Sequence, residues 1–74
     1  MAEFRIDAKG LQCPGPIMRL FIQMKTAKAG DLLIIEVTDP GFKSDVEIWC
    51  RKLKHDLLSI SERDGVITAE IRKG

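Results

Sequence analysis

Hydrophobic and polar residues alternate near the start of the chain, with apolar side chains at every second position over residues 3–8. A period of two is typical of a strand with one buried face. The nearly continuous apolar run at residues 32–37 predicts a strand that is flanked on both sides in a sheet. Alternation at residues 58–60 and 67–71, on either side of the Asp-Gly pair at 64–65, predicts a hairpin of two more strands.

Helical periodicity occurs in the two segments that separate the first three predicted strands. Apolar residues recur at intervals of three and four over residues 17–27, and Gly30 can close this helix in the left-handed conformation. A second helix is predicted by the apolar stripe at residues 46–53. Ser44 and Glu47 have the spacing of a capping box at its start.

The predicted order is therefore β-α-β-α-β-β, which indicates an α+β fold. The simplest arrangement is a two-layer α/β sandwich, with both helices on one face of a four-stranded mixed sheet. A length of 74 residues predicts one domain over residues 1–74. Because such a chain buries only about 60% of its unfolded surface, we expect one modest core.

Charge and hydropathy narrow the range of partners. The chain has 12 basic and 11 acidic residues, so its balanced charge gives no electrostatic argument for binding nucleic acid directly or an anionic membrane. The apolar runs are too short to cross a bilayer, and the first residues lack the pattern of a secretion signal. We therefore expect a cytoplasmic protein that acts as a monomer.

The two cysteines are Cys13 and Cys50, and their separation fits neither a CxxC pair nor a paired metal-ligand cluster. In a reducing compartment both are expected to be free thiols. A disulfide between them, as in a secreted protein, is the alternative.

Cys13 has the position of a reactive thiol, because it lies at the predicted N-cap of the first helix. Pro14 and Pro16 stiffen this helix start. A helix N-terminus favours an anion, so the position suits a thiolate or a persulfide and predicts a lowered thiol pKa. Ser, Thr, Asp and Asn cap helices better than cysteine, which suggests a use for the sulfur. The alternative is that Cys13 is an inert small residue at a helix start.

Persulfide exchange requires little more than one exposed nucleophile. The chain has a single histidine and no second one to orient it or act as a base, which argues against Cys/His hydrolytic catalysis. In persulfide exchange, a thiolate attacks the sulfane sulfur of a donor, and a partner thiolate later removes that sulfur.

The segment Asp7-Ala8-x-Gly10-Leu11-x-Cys13-Pro14-x-Pro16 resembles the CPxP signature region of the TusA/SirA-like sulfur carriers. The resemblance covers nearly the whole chain and continues at Gly30, Asp39, Pro40, Asp45, Cys50 and His55. Family members often have a glycine before that histidine, whereas Lys54 stands there in this chain.

The resemblance implies a fold of four strands and two helices in two layers. It also implies that Cys13 carries persulfide sulfur from a donor, such as a cysteine desulfurase or a rhodanese-like protein, to an acceptor protein. Pro14 and Pro16 would then be the rigid frame of the site. The implied activity is a sulfurtransferase-type relay rather than that of a stand-alone enzyme, with no cofactor beyond the transient cysteine persulfide.

Three further residues are possible accessories of this site. Cys50 falls on the apolar stripe of the second helix and is expected in the core, although it could instead be a resolving thiol or join Cys13 and His55 as a metal ligand. His55 is expected at the surface, near the negative end of that helix. Arg19 follows Pro16 by less than one turn and either faces a partner or the persulfide, or is solvated.

Met18 and Ile22 widen the apolar band of the first helix. They indicate either a docking patch near Cys13 or a broad core face.

Two other functions are consistent with the sequence. One is a regulatory or protein-interaction module in which Cys13 has only a structural role. The other is a redox switch between Cys13 and Cys50, which requires their Cα atoms to lie within about 7 Å.

Overall fold

The computed structural model describes residues 2–74, which form four strands and two helices in the predicted order. The elements are β1 (Glu3–Ala8), α1 (Gly15–Thr26), β2 (Leu32–Val37), α2 (Phe42–Leu53), β3 (Asp56–Arg63) and β4 (Val66–Arg72). The α+β class is confirmed.

The strands form one mixed sheet in the order β1-β2-β4-β3. The β1 and β2 strands are parallel, because α1 connects them as a crossover, whereas β4 is antiparallel to both of its neighbours. The register aligns Ile6, Ile35, Ala69 and Ile60 in one row across the sheet. Strand β2 is paired on both sides, as its continuous apolar run predicts.

The core lies between one face of this sheet and the two helices. Alternate side chains of β1, β2 and β4 point into it, so the period of two in the sequence corresponds to a buried face. Helix α1 contributes Leu20 and Met24, and α2 contributes Phe42, Val46 and Cys50. Both helices therefore cover the same face of the sheet, as predicted.

Both helices begin at different residues from those predicted. Pro14 is the N-cap of α1, so Cys13 lies one residue before the cap and the predicted capping position of Cys13 is wrong. Helix α2 has Gly41 as its N-cap and no side-chain capping bond, so the capping box at Ser44 is wrong as well. The turn ending at Gly41 leads directly into α2, where the buried ring of Phe42 anchors the first helical residue.

The end of α1 also differs from the prediction. The helix ends at Thr26 and its C-cap, Ala27, is extended. Gly30 has the positive φ that was expected, 92°, but in the loop beyond the helix and not at its closing position. Within residues 2–74, no helix has the length and apolar character needed to cross a membrane.

Lys54 closes α2 in the left-handed conformation, with φ 61° and ψ 39°. This region is unfavourable for a residue with a Cβ atom and easy for glycine. Lys54→Gly is therefore expected to increase the free energy of unfolding by about 1 kcal/mol in urea denaturation. The matched control is Lys52→Gly, which places glycine inside the last turn of the same helix and should cost about 0.5–1 kcal/mol. Equal losses from the two variants would contradict this account of the helix end.

Candidate functional site around Cys13

The loop that carries Cys13 is held against the loop that follows β2. Because β1 and β2 are parallel, their carboxyl ends lie at the same edge of the sheet, and both helices start there. The Gly10 amide donates to the Thr38 hydroxyl at 2.9 Å, and the Cys13 amide donates to Asp39 Oδ2 at 2.9 Å. Asp39 Oδ1 also accepts from the Gly41 amide at 3.2 Å. One carboxylate thus joins the thiol loop to the start of α2.

The Cys13 thiol itself contacts a second carboxylate. Its side chain is exposed, and Sγ donates to Asp45 Oδ2 at 2.6 Å. Asp45 lies in the first turn of α2 and is half-buried. The start of α1 therefore supplies the sulfur, and the start of α2 supplies its hydrogen-bond partner.

These carboxylates raise the pKa of the Cys13 thiol, opposite to the predicted shift. The hydrogen bond to Asp45 is the main cause that raises the pKa of Cys13 above its ordinary value. Partial desolvation and the negative charges of Asp45 and Asp39 act in the same direction. The predicted lowering is wrong, because the thiol lies before the cap of α1 and faces the acidic start of α2.

Pro14 and Pro16 have different roles at this helix start. Pro14 is exposed at the N-cap position and borders the thiol. Pro16 is fully buried and fixes the first turn of α1 to the core. Pro16 thus packs the start of α1 into the core, and Pro14 leaves the adjacent Cys13 at the surface.

An open groove of about 290 Å³ lies beside the thiol, between α1 and α2. We call it the thiol groove; it is lined by Cys13, Pro14, Ile17, Asp45, Ile48, Trp49 and Lys52. Its walls are mainly apolar, with one carboxylate and one ammonium group at the surface. The groove is open at the surface and extends to Cys13.

The residues of α2 that line the thiol groove have no site role predicted from the sequence. Asp45, Ile48, Trp49 and Lys52 follow the spacing i, i+3, i+4 and i+7 and form one stripe of the helix. Asp39 was missed as well, since a turn residue gives no sign of the distant amide that it will bind. The stripe was detectable in the sequence, but the contact with Asp39 was not.

Cys50 is a core residue, 2% exposed, as expected from its position on the apolar stripe. Burial is the main cause that raises its pKa to about 11, so it remains a thiol at neutral pH. This argues against its use as a resolving thiol or redox partner of Cys13. Among residues 2–74, no group of three or more His, Cys, Asp or Glu side chains could hold a metal ion, so the proposed ligand set with His55 does not form.

His55 is half-buried, and this corrects the expected surface position. Its ring lies against Trp49, with 5.4 Å between ring centroids, and Nδ1 accepts from the Gly74 amide at 3.1 Å. Burial, together with the charge of Lys73, lowers the pKa of His55. The lowered pKa favours a neutral ring, which packs at the end of α2. His55 is therefore not placed there as a cation that interacts with the negative end of the helix.

Arg19 is exposed on α1 and lies outside the set of residues that line the thiol groove. Met18 and Ile22 are also exposed, at 54% and 58%, so the broad core face considered for them is wrong. The alternative, a docking patch, stays a prediction.

The fold and site define a class of protein: a small two-layer α+β domain whose exposed cysteine lies at a proline-framed helix start. The family model described as sulfurtransferase TusA matches residues 4–73. The chain belongs to the TusA family, as its CPxP segment predicts.

Relatives in Pseudomonas putida and Bacillus subtilis are similar along most of this chain. The sulfur carrier protein TusA of Pseudomonas putida is 40% identical over 68 residues, which cover 92% of this chain and 85% of the relative. YrkI of Bacillus subtilis, named as a candidate sulfur carrier, is 38% identical over 69 residues, covering 93% and 92% of the two chains. YrkF of the same organism, named in the same way, is 39% identical over 73 residues, covering 99% of this chain but 40% of YrkF. This chain therefore spans less than half the length of YrkF.

Proposed function

We propose that the protein is a sulfur carrier that accepts sulfane sulfur as a persulfide on Cys13 and relays it to an acceptor protein. The observation that carries the proposal is the contrast between the two thiols. Cys13 is exposed beside an open groove, whereas Cys50 is buried in the core. Family membership supports the same role, because named relatives are sulfur carriers.

The transfer has two steps, and each conserves atoms and electrons. In loading, the Cys13 thiolate attacks the outer sulfur of a donor persulfide, so that Cys13-SH and R-S-SH give Cys13-S-SH and R-SH. In unloading, an acceptor thiolate attacks the outer sulfur and Cys13 leaves as a thiolate, which regains a proton. The donor class is a cysteine desulfurase or a rhodanese-like protein. We place the exchange in the cytoplasm, where thiols stay reduced.

Intact-mass spectrometry tests this proposal. The protein is incubated with a cysteine desulfurase and cysteine, then measured under non-reducing conditions alongside Cys13→Ala and Cys50→Ala. The expected result is a gain of one sulfur atom in the wild type and in Cys50→Ala, reversed by reductant and lost in Cys13→Ala. Cys50→Ala is the matched control for loss of a thiol.

Two results would contradict the proposal. An adduct on Cys50 would move the site into the core, against the burial of that thiol. Failure of a cysteine desulfurase and also of a rhodanese-like donor would favour the regulatory module, for which Cys13 has only a structural role.

A further inference from the structure

The carboxylate next to Cys13 is unexpected for a nucleophilic thiol. Asp45 Oδ2 lies 2.6 Å from Sγ, and a carboxylate at this distance stabilises the protonated thiol relative to the thiolate. A nearby cation would instead stabilise the thiolate, the form that reacts with a donor. In the free protein, this geometry therefore disfavours ionisation of the Cys13 thiol and lowers its reactivity.

The charges around Sγ are unequal in their effect on an approaching molecule. Asp39 accepts hydrogen bonds from the amides of Cys13 and Gly41, which partly neutralise its carboxylate. Asp45 has the Cys13 thiol as its partner and borders the thiol groove. Lys52 lies on the wall of the same groove, two turns further along α2. Of these charged groups, Asp45 is the one in contact with the sulfur itself.

We propose that Asp45 determines which sulfur partners react with Cys13, by disfavouring anionic ones and favouring a protein that brings Lys or Arg to the sulfur. The cation of such a partner pairs with Asp45 and weakens the hydrogen bond that Asp45 accepts from the thiol, so Cys13 ionises more readily to the thiolate that attacks. The apolar side chains of Ile17, Ile48 and Trp49 would receive the adjoining segment of the partner. Small anionic thiols and disulfides would be repelled from the same position.

This inference deepens the proposed function and rests on it, since it names the chemistry of the protein that exchanges sulfur with Cys13. In the loading step, the proton of Cys13 passes to the departing donor thiolate, so charge balances whether or not Asp45 is paired. The contribution of Asp45 is to the choice of partner through charge, with no change in the products.

Charged disulfides test the inference without any persulfide. The full chain and its variants react with cystamine, hydroxyethyl disulfide and dithiodipropionate, which are cationic, neutral and anionic. In each reaction, the Cys13 thiolate attacks one sulfur, forms a mixed disulfide and releases one small thiolate. Rates are divided by the thiolate fraction from absorbance titration in the Cys50→Ala background, where Cys13 is the one remaining cysteine.

In the wild type at low salt, cystamine should react about tenfold or more faster than dithiodipropionate. Asp45→Asn should reduce this ratio severalfold and shift thiolate formation to lower pH, since the hydrogen-bonded charge is removed. Lys52→Met should increase the ratio, because it removes the opposing charge. Glu47→Gln is the matched control: Glu47 is exposed on the same helix but off the stripe that lines the thiol groove, so its ratio should equal that of the wild type.

An unchanged ratio in Asp45→Asn, with a thermal unfolding curve like that of the wild type, would overturn the inference. If this variant does not fold, the wild type provides the second test, because high salt screens exposed charges and should reduce its ratio. A wild-type ratio near one at low salt would also overturn it. Neither result depends on the persulfide assay, so the proposed function and this inference can fail separately.

Discussion

Phe42→Ala is expected to destabilise the protein by about 3–5 kcal/mol, the range for loss of a large buried aromatic ring. Phe42 is 1% exposed and is among the largest fully buried side chains. It is also the first residue of α2, so its ring fixes the start of the helix that carries Asp45. The free energy of unfolding of globular domains is about 5–15 kcal/mol, and a domain of this size has no more than that. The variant should therefore be close to unfolding at room temperature.

Urea denaturation measures this loss, and Phe21→Ala is the matched control. Phe21 is 45% exposed on α1, so removal of the same ring there should cost about 1 kcal/mol or less. If the two variants lost equal stability, the ring of Phe42 would not be the anchor of α2. Cys13 in Phe42→Ala should also lose its preference among charged disulfides, because Asp45 is no longer fixed beside the thiol.

Asp39→Ala is expected to lower the free energy of unfolding by about 2 kcal/mol, because two amides lose a charged acceptor. The contact between Asp39 and the Cys13 amide joins residues 26 positions apart, and the second contact holds the turn before α2. Loss of the first contact should also release the thiol loop. Amide hydrogen exchange at Cys13 should therefore become faster, while exchange in β2 follows only the change in global stability.

The control for this variant is Asp7→Ala. Asp7 is exposed and its carboxylate accepts from the amide of Lys9, only two residues away. Removal of this local bond should change stability by about 0.5 kcal/mol or less. A Cys13 amide whose exchange stays slow in Asp39→Ala would show that the loop is held by other contacts, such as the bond from Gly10 to Thr38.

The order of the elements and the faces that they bury are predictable from the sequence. Periods of two and of three to four residues are local properties of a chain, so they mark strands and helices before any tertiary contact is known. The hairpin at Asp64-Gly65 and the internal position of β2 follow from the same reasoning. The proline-framed cysteine was visible in the sequence because its chemistry depends on adjacent residues.

Helix boundaries were less predictable, because propensities at a helix end are weak compared with packing. The Ser44 and Glu47 pair has the spacing of a cap, yet burial of Phe42 starts α2 earlier. Similarly, the left-handed residue that closes α2 is Lys54, where local preference favours glycine. In both places, the tertiary structure outweighs a local preference of about 1 kcal/mol.

The electrostatics of the candidate site depend on contacts between residues that are distant in sequence. The two carboxylates that contact Cys13 lie 26 and 32 positions away in sequence, and the parallel pairing of β1 with β2 brings them to the same edge of the sheet. A prediction from the start of α1 alone includes the helix dipole and omits these charges. The sequence therefore identified the thiol and its frame. The direction in which the pKa of the thiol shifts depends on long-range contacts, because electrostatic effects act through space and not along the chain.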